Sequence, residues 1–270
     1  MNRSFITRAQ SRRAARRIWA RELRETFGAK DPRSWLMRFH TQTAGVTLTA
    51  QQPTNNVVRV AYQALAAVLG GTQSLHTNSL DETLALPTEE AVRLALRTQQ
   101  IIAHETGVAD VIDPLGGSYY LESLTDQLER EAEALFAEIH SVGGVVKGIE
   151  SGWFQRQIAR SAAEFQRDVE AGRRVIVGMN DFVSEDDHPV EILKVSTDAE
   201  GLQRRRLARL RAERDAALVS ERLEALRQAA LGERNVIGPM LDCARAYCTL
   251  YEIRHALERV YGAYREPVFF

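Results

Sequence analysis

The chain has 270 residues, of which 44% are hydrophobic and 26% are charged, and its formal net charge at pH 7 is -1. These values are ordinary for a soluble intracellular protein, and the balanced charge gives no reason to expect a nucleic-acid partner. The longest apolar runs are too short to cross a bilayer, so we expect no membrane segment.

The first 24 residues are rich in arginine and contain no acidic residue before Glu22. Such a composition is compatible with an organellar targeting helix and equally with the exposed helix of a folded domain. The residues alone leave both interpretations open.

A strand, a helix and a second strand are predicted next. The apolar run Trp35–Phe39 predicts a strand buried on both faces, and Gln73–Leu75 predicts a weaker one. Between them, apolar residues at helical spacing end at Gly70 and Gly71. Parallel strands joined by a helix place functional residues at their carboxyl ends. We therefore expect His40 and His76, which close the two strands, to lie at the mouth of a barrel.

Helices dominate the rest of the first two hundred residues. Thr88 is a predicted N-cap followed by acidic residues in the first turn, and Gly107 ends that helix. Further helices are predicted over Leu124–His140 and Trp153–Ala171, with a short strand at Val175–Gly178.

The composition changes after an acidic, proline-containing linker at residues 185–189. Residues 199–231 are charged and alanine-rich and predict a helical hairpin, and residues 235–264 predict two more helices. Because the charges in this region are balanced in sign, we interpret the charged helix as having a solvated face rather than a nucleic-acid surface. Cys243 and Cys248 lie on one predicted helix and should point to different faces, which argues against a disulfide or a zinc site.

Several blocks of this sequence, in order, resemble one enzyme family. From about Arg13 to Asp181 the chain resembles the later part of the catalytic barrel of the adenosylcobalamin-dependent acyl-CoA mutases, the methylmalonyl-CoA mutase large-subunit family. The matching blocks are RFHTQTAG (Arg38–Gly45), TLTAQQP (Thr47–Pro53), Asn55–Asn56, GGTQSLHTN (Gly70–Asn78), Leu80–Glu82, Ala85–Pro87 and DPLGGSYY (Asp113–Tyr120).

The resemblance implies an α/β fold: the last two strands and their helices of a TIM (β/α)8 barrel, followed by a mainly helical C-terminal region. We predict a partial barrel over residues 1–185 and the helical region over residues 186–270. Ser11–Trp19 resembles the helix that precedes the RFHTQTAG strand, which favours an outer barrel helix over a targeting helix. The missing strands imply a further chain, so this sequence would be one piece of a split enzyme or a truncated reading frame.

The implied reaction is a radical 1,2-rearrangement of the carbon skeleton of an acyl-CoA, with methylmalonyl-CoA to succinyl-CoA as the default by frequency in the family. The alternative is a non-catalytic remnant or a helical interaction module of a mutase complex. The implied partners are an acyl-CoA substrate and a cobalamin-binding small subunit, and the expected location is the cytoplasm.

By resemblance, His40 lines the substrate and cofactor cavity, and no catalytic residue is assigned. Gln42 and Gly45 face the corrin of adenosylcobalamin, and a glycine there lets a planar ring approach the backbone. Glu82 accepts bonds from the ribose hydroxyls of the adenosyl group, and Ala85 leaves space for the cofactor.

Asp186 and His188 invite comparison with the Asp-x-His-x-x-Gly motif of cobalamin domains, whose histidine ligates cobalt. Glu191 stands where that motif needs glycine. We therefore interpret this segment as a linker and expect a separate domain or chain to ligate the cobalt.

Overall fold

The computed structural model describes residues 5–184, 190–232 and 234–265. These residues form two compact units, the first ending at Leu193 and the second beginning at Lys194. The Asp186–His188 segment lies outside the described residues.

The first unit is mostly helical with one small parallel sheet. In chain order its elements are α1 (Phe5–Arg21), β1 (His40–Gln42), α2 (Asn55–Leu69), β2 (Ser74–His76), α3 (Glu89–Glu105), α4 (Tyr119–Ser141), α5 (Gly144–Glu150) and α6 (Trp153–Glu170). The predicted strand, helix and strand unit is confirmed: β1 and β2 pair in parallel, with His40 opposite Ser74 and Gln42 opposite His76. Thr88 caps α3 as predicted, since its side chain accepts a hydrogen bond from the Ala91 amide.

The predicted position of the first strand was wrong. Pro32–Trp35 forms a short 3-10 turn, which the Asp31 side chain caps by accepting a bond from the Arg33 amide at 2.9 Å. Leu36 is 59% exposed, and the strand begins only at His40. Proline at the first turn position and the aspartate cap favour a turn over an extended strand. His40 therefore opens β1 rather than closing it, whereas His76 does close β2.

The predicted strand at Val175–Gly178 is reduced to one isolated bridge between Val177 and Asp181. The Asn180 side chain explains this outcome, because its Oδ1 accepts from the Ile176 amide while its Nδ2 donates to the carbonyls of Val169 and Arg174. These bonds fold the segment into a compact turn instead of a ladder.

A ladder of ion pairs joins α1 to α4 and the segment before it. Arg13 contacts Asp113 at 3.0 Å and Glu122 at 2.8 Å. The next two turns continue the ladder through Arg17, Arg21, Asp126, Glu129 and Glu133. α1 also buries Ala9, Ala14 and Ile18, which flank the arginines on the helix surface. The arginine-rich stretch is thus a helix that packs against α4 and α2 in the first unit.

The second unit is helical, as predicted, and contains α7 (Thr197–Glu213), α8 (Ala216–Leu231), α9 (Ile237–Arg245) and α10 (Leu250–Tyr261). Leu226, Cys243 and Ala256 form its buried centre, and side chains from α8, α9 and α10 surround them. The expectation that the two cysteines share a helix was wrong, because α9 ends at Arg245 and Cys248 lies beyond it.

Candidate functional site

The loops that follow β1 and β2 are joined to each other at the carboxyl edge of the sheet. The Thr43 amide donates to the His76 carbonyl at 3.1 Å, which extends the ladder by one residue. The Asn78 amide then donates to Thr43 Oγ1 at 2.9 Å, and Thr43 and Asn78 are both buried. Because these bonds are shielded from water, the two loops hold a fixed relative position.

One face of the sheet is polar and exposed. Four exposed side chains lie on this face, those of His40, Gln42, Ser74 and His76. They alternate along the strands with Thr41 and Leu75, which lie on the other face. His40 Nδ1 lies 2.7 Å from Ser74 Oγ across the strands, and Gln42 Nε2 lies 3.4 Å from Asn78 Oδ1. The His40 and Gln42 side chains therefore share one open surface that leads to the joined loops.

The other face of the sheet packs against helices. Thr41 is buried, and its Oγ1 accepts from Arg12 Nε of α1 at 3.3 Å and donates to Thr72 Oγ1 at 2.9 Å. Gln99 of α3 donates to the Leu75 carbonyl at 3.2 Å. The sheet thus has a helix-covered side and an open side.

Gly45 lies where the first loop meets the second. A Cβ at this position would lie 3.1 Å from Asn78 Nδ2 and 3.2 Å from Glu82 Oε1. Both distances are tighter than ordinary carbon contacts, so the absence of a side chain permits the approach. The structure therefore brings together three of the residues singled out from the sequence, Gln42, Gly45 and Glu82, around Asn78.

Asp81 holds the turn that carries Glu82 and Ala85. Its carboxylate is 1% exposed and accepts from the Thr88 amide at 2.9 Å, while its carbonyl accepts from the amides of Leu84 and Ala85 at 2.8 and 3.1 Å. Glu82 is exposed on this turn and Ala85 is half-buried. The turn presents the Glu82 carboxylate to solvent beside Gly45.

Asn56 of α2 hydrogen-bonds both loops. It was not identified from the sequence as a positioning residue. It is fully buried; its Nδ2 donates to the carbonyls of Thr49 and Leu80, each at 2.9 Å, and its Oδ1 accepts from the Thr49 amide at 3.1 Å. Asn55–Asn56 was noted only as part of a matching block. An asparagine in the first turn of an amphipathic helix, on the face that also carries Val60 and Ala64, is the signal that could have revealed it.

Arg59, one turn further along α2, connects the turn near Val177 to the site by hydrogen bonds. Its Nη1 donates to Thr49 Oγ1 and Asn56 Oδ1, each at 2.8 Å, and its Nη2 donates to the Val177 carbonyl at 2.6 Å. Burial lowers the pKa of the Arg59 guanidinium, yet an arginine stays charged at any physiological pH. This cation therefore stabilises the loop after β1 and the turn near Val177 together.

The arrangement fits a large planar cofactor in three respects. The open face is polar, the loop contact at Gly45 has no side chain, and the Glu82 carboxylate is free to accept hydrogen bonds from hydroxyl groups. In addition, Asn78 Nδ2 is buried and has no hydrogen-bond acceptor within the described residues.

Among the described residues, no three His, Cys, Asp or Glu side chains are grouped so that they could hold a metal ion. Within the same ranges, no helix is long and apolar enough to span a membrane.

A comparison with protein-family models matches residues 2–263 to the methylmalonyl-CoA mutase family. Curated relatives agree. The 2-hydroxyisobutanoyl-CoA mutase large subunit of Aquincola tertiaricarbonis is 47% identical over 98% of this chain and 48% of its own length.

Other relatives carry the family's own name. The methylmalonyl-CoA mutase of Escherichia coli (strain K12) is 44% identical over 94% of this chain and 36% of its own length. The mitochondrial methylmalonyl-CoA mutase of Homo sapiens is 42% identical over 97% of this chain and 35% of its own length. The chain thus spans about half or less of the length of these curated relatives.

Proposed function

The chain belongs to the methylmalonyl-CoA mutase family, and from that premise we propose that it is the carboxyl-terminal part of the catalytic barrel of an adenosylcobalamin-dependent acyl-CoA mutase. In this proposal residues 1–185 supply the last two barrel strands with their helices, and residues 186–270 form the helical region that follows.

The observation that carries the proposal is the two-sided sheet. Strands of a (β/α)8 barrel pack one face against outer helices and turn the other face to the barrel interior. Here Thr41 packs against α1, and His40 and Gln42 point to the opposite, open side. The outer edges of β1 and β2 carry no further strand in the described residues. Unpaired edges favour association with other strands, which supports completion of the barrel by strands outside this sequence.

The named residues would hold adenosylcobalamin as follows. Gly45 would let the corrin approach the backbone, and Gln42 would contact its rim from the end of β1. Glu82 would accept hydrogen bonds from the ribose hydroxyls, and Ala85 would leave room beside it. His40, two residues before Gln42 on the same face of β1, would line the cavity that the cofactor shares with the substrate. The bonds of Thr43, Asn56 and Asp81 would keep this surface in place before the cofactor binds.

When bound, adenosylcobalamin supplies the radical chemistry of a 1,2-rearrangement of the acyl-CoA carbon skeleton. The role of the residues of this chain would be to bind the cofactor and orient it. The buried hydrogen bonds of Thr43, Asn56 and Asp81 hold the loops in position, and Glu82 would fix the sugar through charge-assisted bonds. Because the described site residues include no paired acid and base, we assign positioning rather than proton transfer to them.

We propose methylmalonyl-CoA as substrate and succinyl-CoA as product. The further partners are a chain with the missing barrel strands and a cobalamin-binding small subunit that ligates the cobalt. A cytoplasmic location is part of the same proposal, although the human relative is named as mitochondrial.

The experiment is a complementation assay. The chain is co-expressed with a chain carrying the missing strands and with a cobalamin-binding subunit. Isomerisation of methylmalonyl-CoA, isobutyryl-CoA and 2-hydroxyisobutyryl-CoA is then measured with and without adenosylcobalamin. We expect cofactor-dependent turnover of methylmalonyl-CoA only when all chains are present. Absence of turnover with every substrate and every combination would overturn the proposal.

A matched pair of variants tests the role of Glu82. We expect Glu82→Gln to weaken cofactor affinity at least tenfold, because a neutral amide makes weaker bonds to hydroxyls than a carboxylate. Glu90→Gln, at another exposed glutamate in the first turn of α3, should leave affinity unchanged. Equal effects of the two substitutions would remove Glu82 from the site.

A further inference from the structure

The connection between α9 and α10 turns sharply at Tyr247. The Tyr247 amide donates to the Ala244 carbonyl at 3.0 Å, and the Cys248 amide donates to the Cys243 carbonyl at 2.9 Å. This pair of bonds is the Schellman ending of a helix. In that motif the residue that donates the first bond, here Tyr247, adopts the left-handed conformation. Tyr247 occupies that region with φ of +59°, where glycine is usual. The turn therefore folds Cys248 back onto the last turn of α9.

The turn brings the two thiols of the second unit together. Cys243 is fully buried, and its Sγ donates to the Arg222 carbonyl at 3.3 Å. Cys248 is half-buried, packs against the same core, and its Sγ lies 4.0 Å from the Val219 carbonyl. Each thiol lies close enough to affect the pKa of the other. Both sulfur atoms thus lie against carbonyls of α8 that are one helical turn apart.

A disulfide needs alpha carbons roughly 4.4–6.8 Å apart and side chains directed at each other. The direct main-chain bond between Cys243 and Cys248 keeps their alpha carbons within this range, and both side chains point to the same stretch of α8, which brings the two sulfur atoms towards each other. We propose that Cys243 and Cys248 form an oxidisable dithiol pair that hydrogen peroxide converts into a reversible intramolecular disulfide.

The half-buried thiol reacts first. The Cys248 thiolate attacks one peroxide oxygen, the O–O bond breaks, and the products are a sulfenic acid on Cys248 and hydroxide, which takes up the released proton as water. The Cys243 sulfur then attacks the sulfenic sulfur, loses its proton and expels a second water. In sum, two thiols and one peroxide give one disulfide and two waters, so the thiols are oxidised and peroxide is reduced.

The surroundings of Cys248 make this reaction slow at neutral pH. Burial raises the pKa of the Cys248 thiol, and the nearby Glu252 carboxylate raises it further. The Cys243 contact and the Arg214 guanidinium oppose this rise only in part. Arg214 is held at the turn because its Nη1 donates to the Tyr247 carbonyl at 2.9 Å.

Cys243 is still less reactive on its own. Burial raises the pKa of its thiol to about 11, with smaller contributions from Cys248 and Asp242 and an opposing one from Arg222. Since only the thiolate attacks peroxide, the rate of disulfide formation should rise about tenfold per pH unit below the pKa of the attacking thiol. Cys243 oxidation should depend on Cys248.

The test uses the full chain treated with hydrogen peroxide, followed by alkylation of free thiols and trypsin digestion. Arg245 lies between the cysteines with its side chain 74% exposed, so trypsin separates them. We expect both thiols to disappear together in the monomer, to yield a linked pair of peptides, one ending at Arg245 and one beginning at Ala246, and to return on reduction. Sulfinic or sulfonic acid on Cys248 with Cys243 still free would overturn the proposal, as would linked peptides found only in dimers.

Two variants sharpen the result. In Cys248→Ser we expect oxidation of Cys243 to slow at least tenfold, because the accessible partner is gone. Tyr247→Gly keeps the left-handed turn without a side chain and should still form the disulfide. Circular dichroism of both variants establishes that the helices are retained. Oxidation of Cys243 at the wild-type rate in folded Cys248→Ser would contradict a paired reaction.

Discussion

The two compact units differ in how they bury polar and apolar groups. In the first unit the sheet is fixed by buried hydrogen bonds of Asn56, Asn78 and Asp81, and its other face stays polar and open. The second unit closes around an apolar centre at Leu226 and Cys243. A core of packed apolar side chains needs no further partner. A sheet with an open polar face and unpaired edges, in contrast, is typical of a surface that binds another part of a protein or a ligand.

The largest effect should come from the apolar centre of the second unit. Leu226→Ala should cost about 2–5 kcal/mol of unfolding free energy, because it leaves a cavity at a fully buried position. Leu231→Ala, at a 54% exposed leucine at the end of the same helix, should cost less than about 1 kcal/mol. Hydrogen exchange of the α8 and α10 amides measures both values. Similar costs would mean that the second unit lacks a distinct core.

The neighbouring asparagines of α2 provide the corresponding test in the first unit. Asn56→Ala should cost about 2–3 kcal/mol, because it leaves buried main-chain groups of Thr49 and Leu80 without partners. Asn55→Ala removes one half-buried bond to Gln52 and should cost roughly 1 kcal/mol or less. The measurement is amide exchange in residues 43–53. Unchanged exchange in Asn56→Ala would show that the loops are held by other means.

Acid should weaken the second unit through Glu252. Its carboxylate accepts from both terminal nitrogens of Arg214, at 2.5 and 2.7 Å, and this contact lowers the pKa of Glu252 to about 2. The folded-state pKa lies below the unfolded value of about 4.3. The stabilisation is therefore complete above that value and is lost as pH falls through about 2. Glu252→Gln should remove about 1–2 kcal/mol at neutral pH, discounted for partial exposure.

Glu224 is the control for this pH dependence. Its pKa is also lowered to about 2, mainly by a hydrogen bond from Arg227, but the pair is on the surface. Exposed pairs contribute little because solvent screens them. Chemical denaturation between pH 2 and 7 should therefore show a flattened acid limb for Glu252→Gln and a nearly normal one for Glu224→Gln. A reversed order would contradict the assignment.

The smallest effect on stability should come from Gly45. Gly45→Ala places a methyl group against the buried Asn78 amide and the exposed Glu82 carboxylate, and only the exposed side chain can move away. We expect a loss of about 1 kcal/mol or less together with a clear loss of cofactor affinity in the complemented enzyme. Gly117→Ala, where a Cβ would meet nothing within 4 Å but φ is +82°, separates steric contact from backbone strain. Retained affinity in Gly45→Ala would argue against a close approach at this loop.

The sequence predicted much of this organisation for physical reasons that individual residues make clear. Helical spacing and the Thr88 cap are local signals, so α2 and α3 were predicted correctly. The first strand was misplaced because the pairing residues His40–Gln42 are polar, whereas the apolar run before them forms a turn capped by Asp31.

The candidate site was predictable only in its surface residues. Gln42, Gly45 and Glu82 were found by resemblance, but the buried supports Asn56 and Asp81 act through partners far apart in sequence. The cysteine contact depends on a left-handed tyrosine, for which the sequence gives no signal comparable to glycine.

The most direct test of the central claim is hydrogen exchange of residues 40–45 and 74–82 with and without a chain carrying the missing barrel strands. We predict that its addition slows exchange along the outer edges of β1 and β2 and at His40 and Gln42. It should leave the α8 and α10 amides unchanged. Unaltered exchange at both strands, under conditions in which the two chains are shown to be present and folded, would contradict the account.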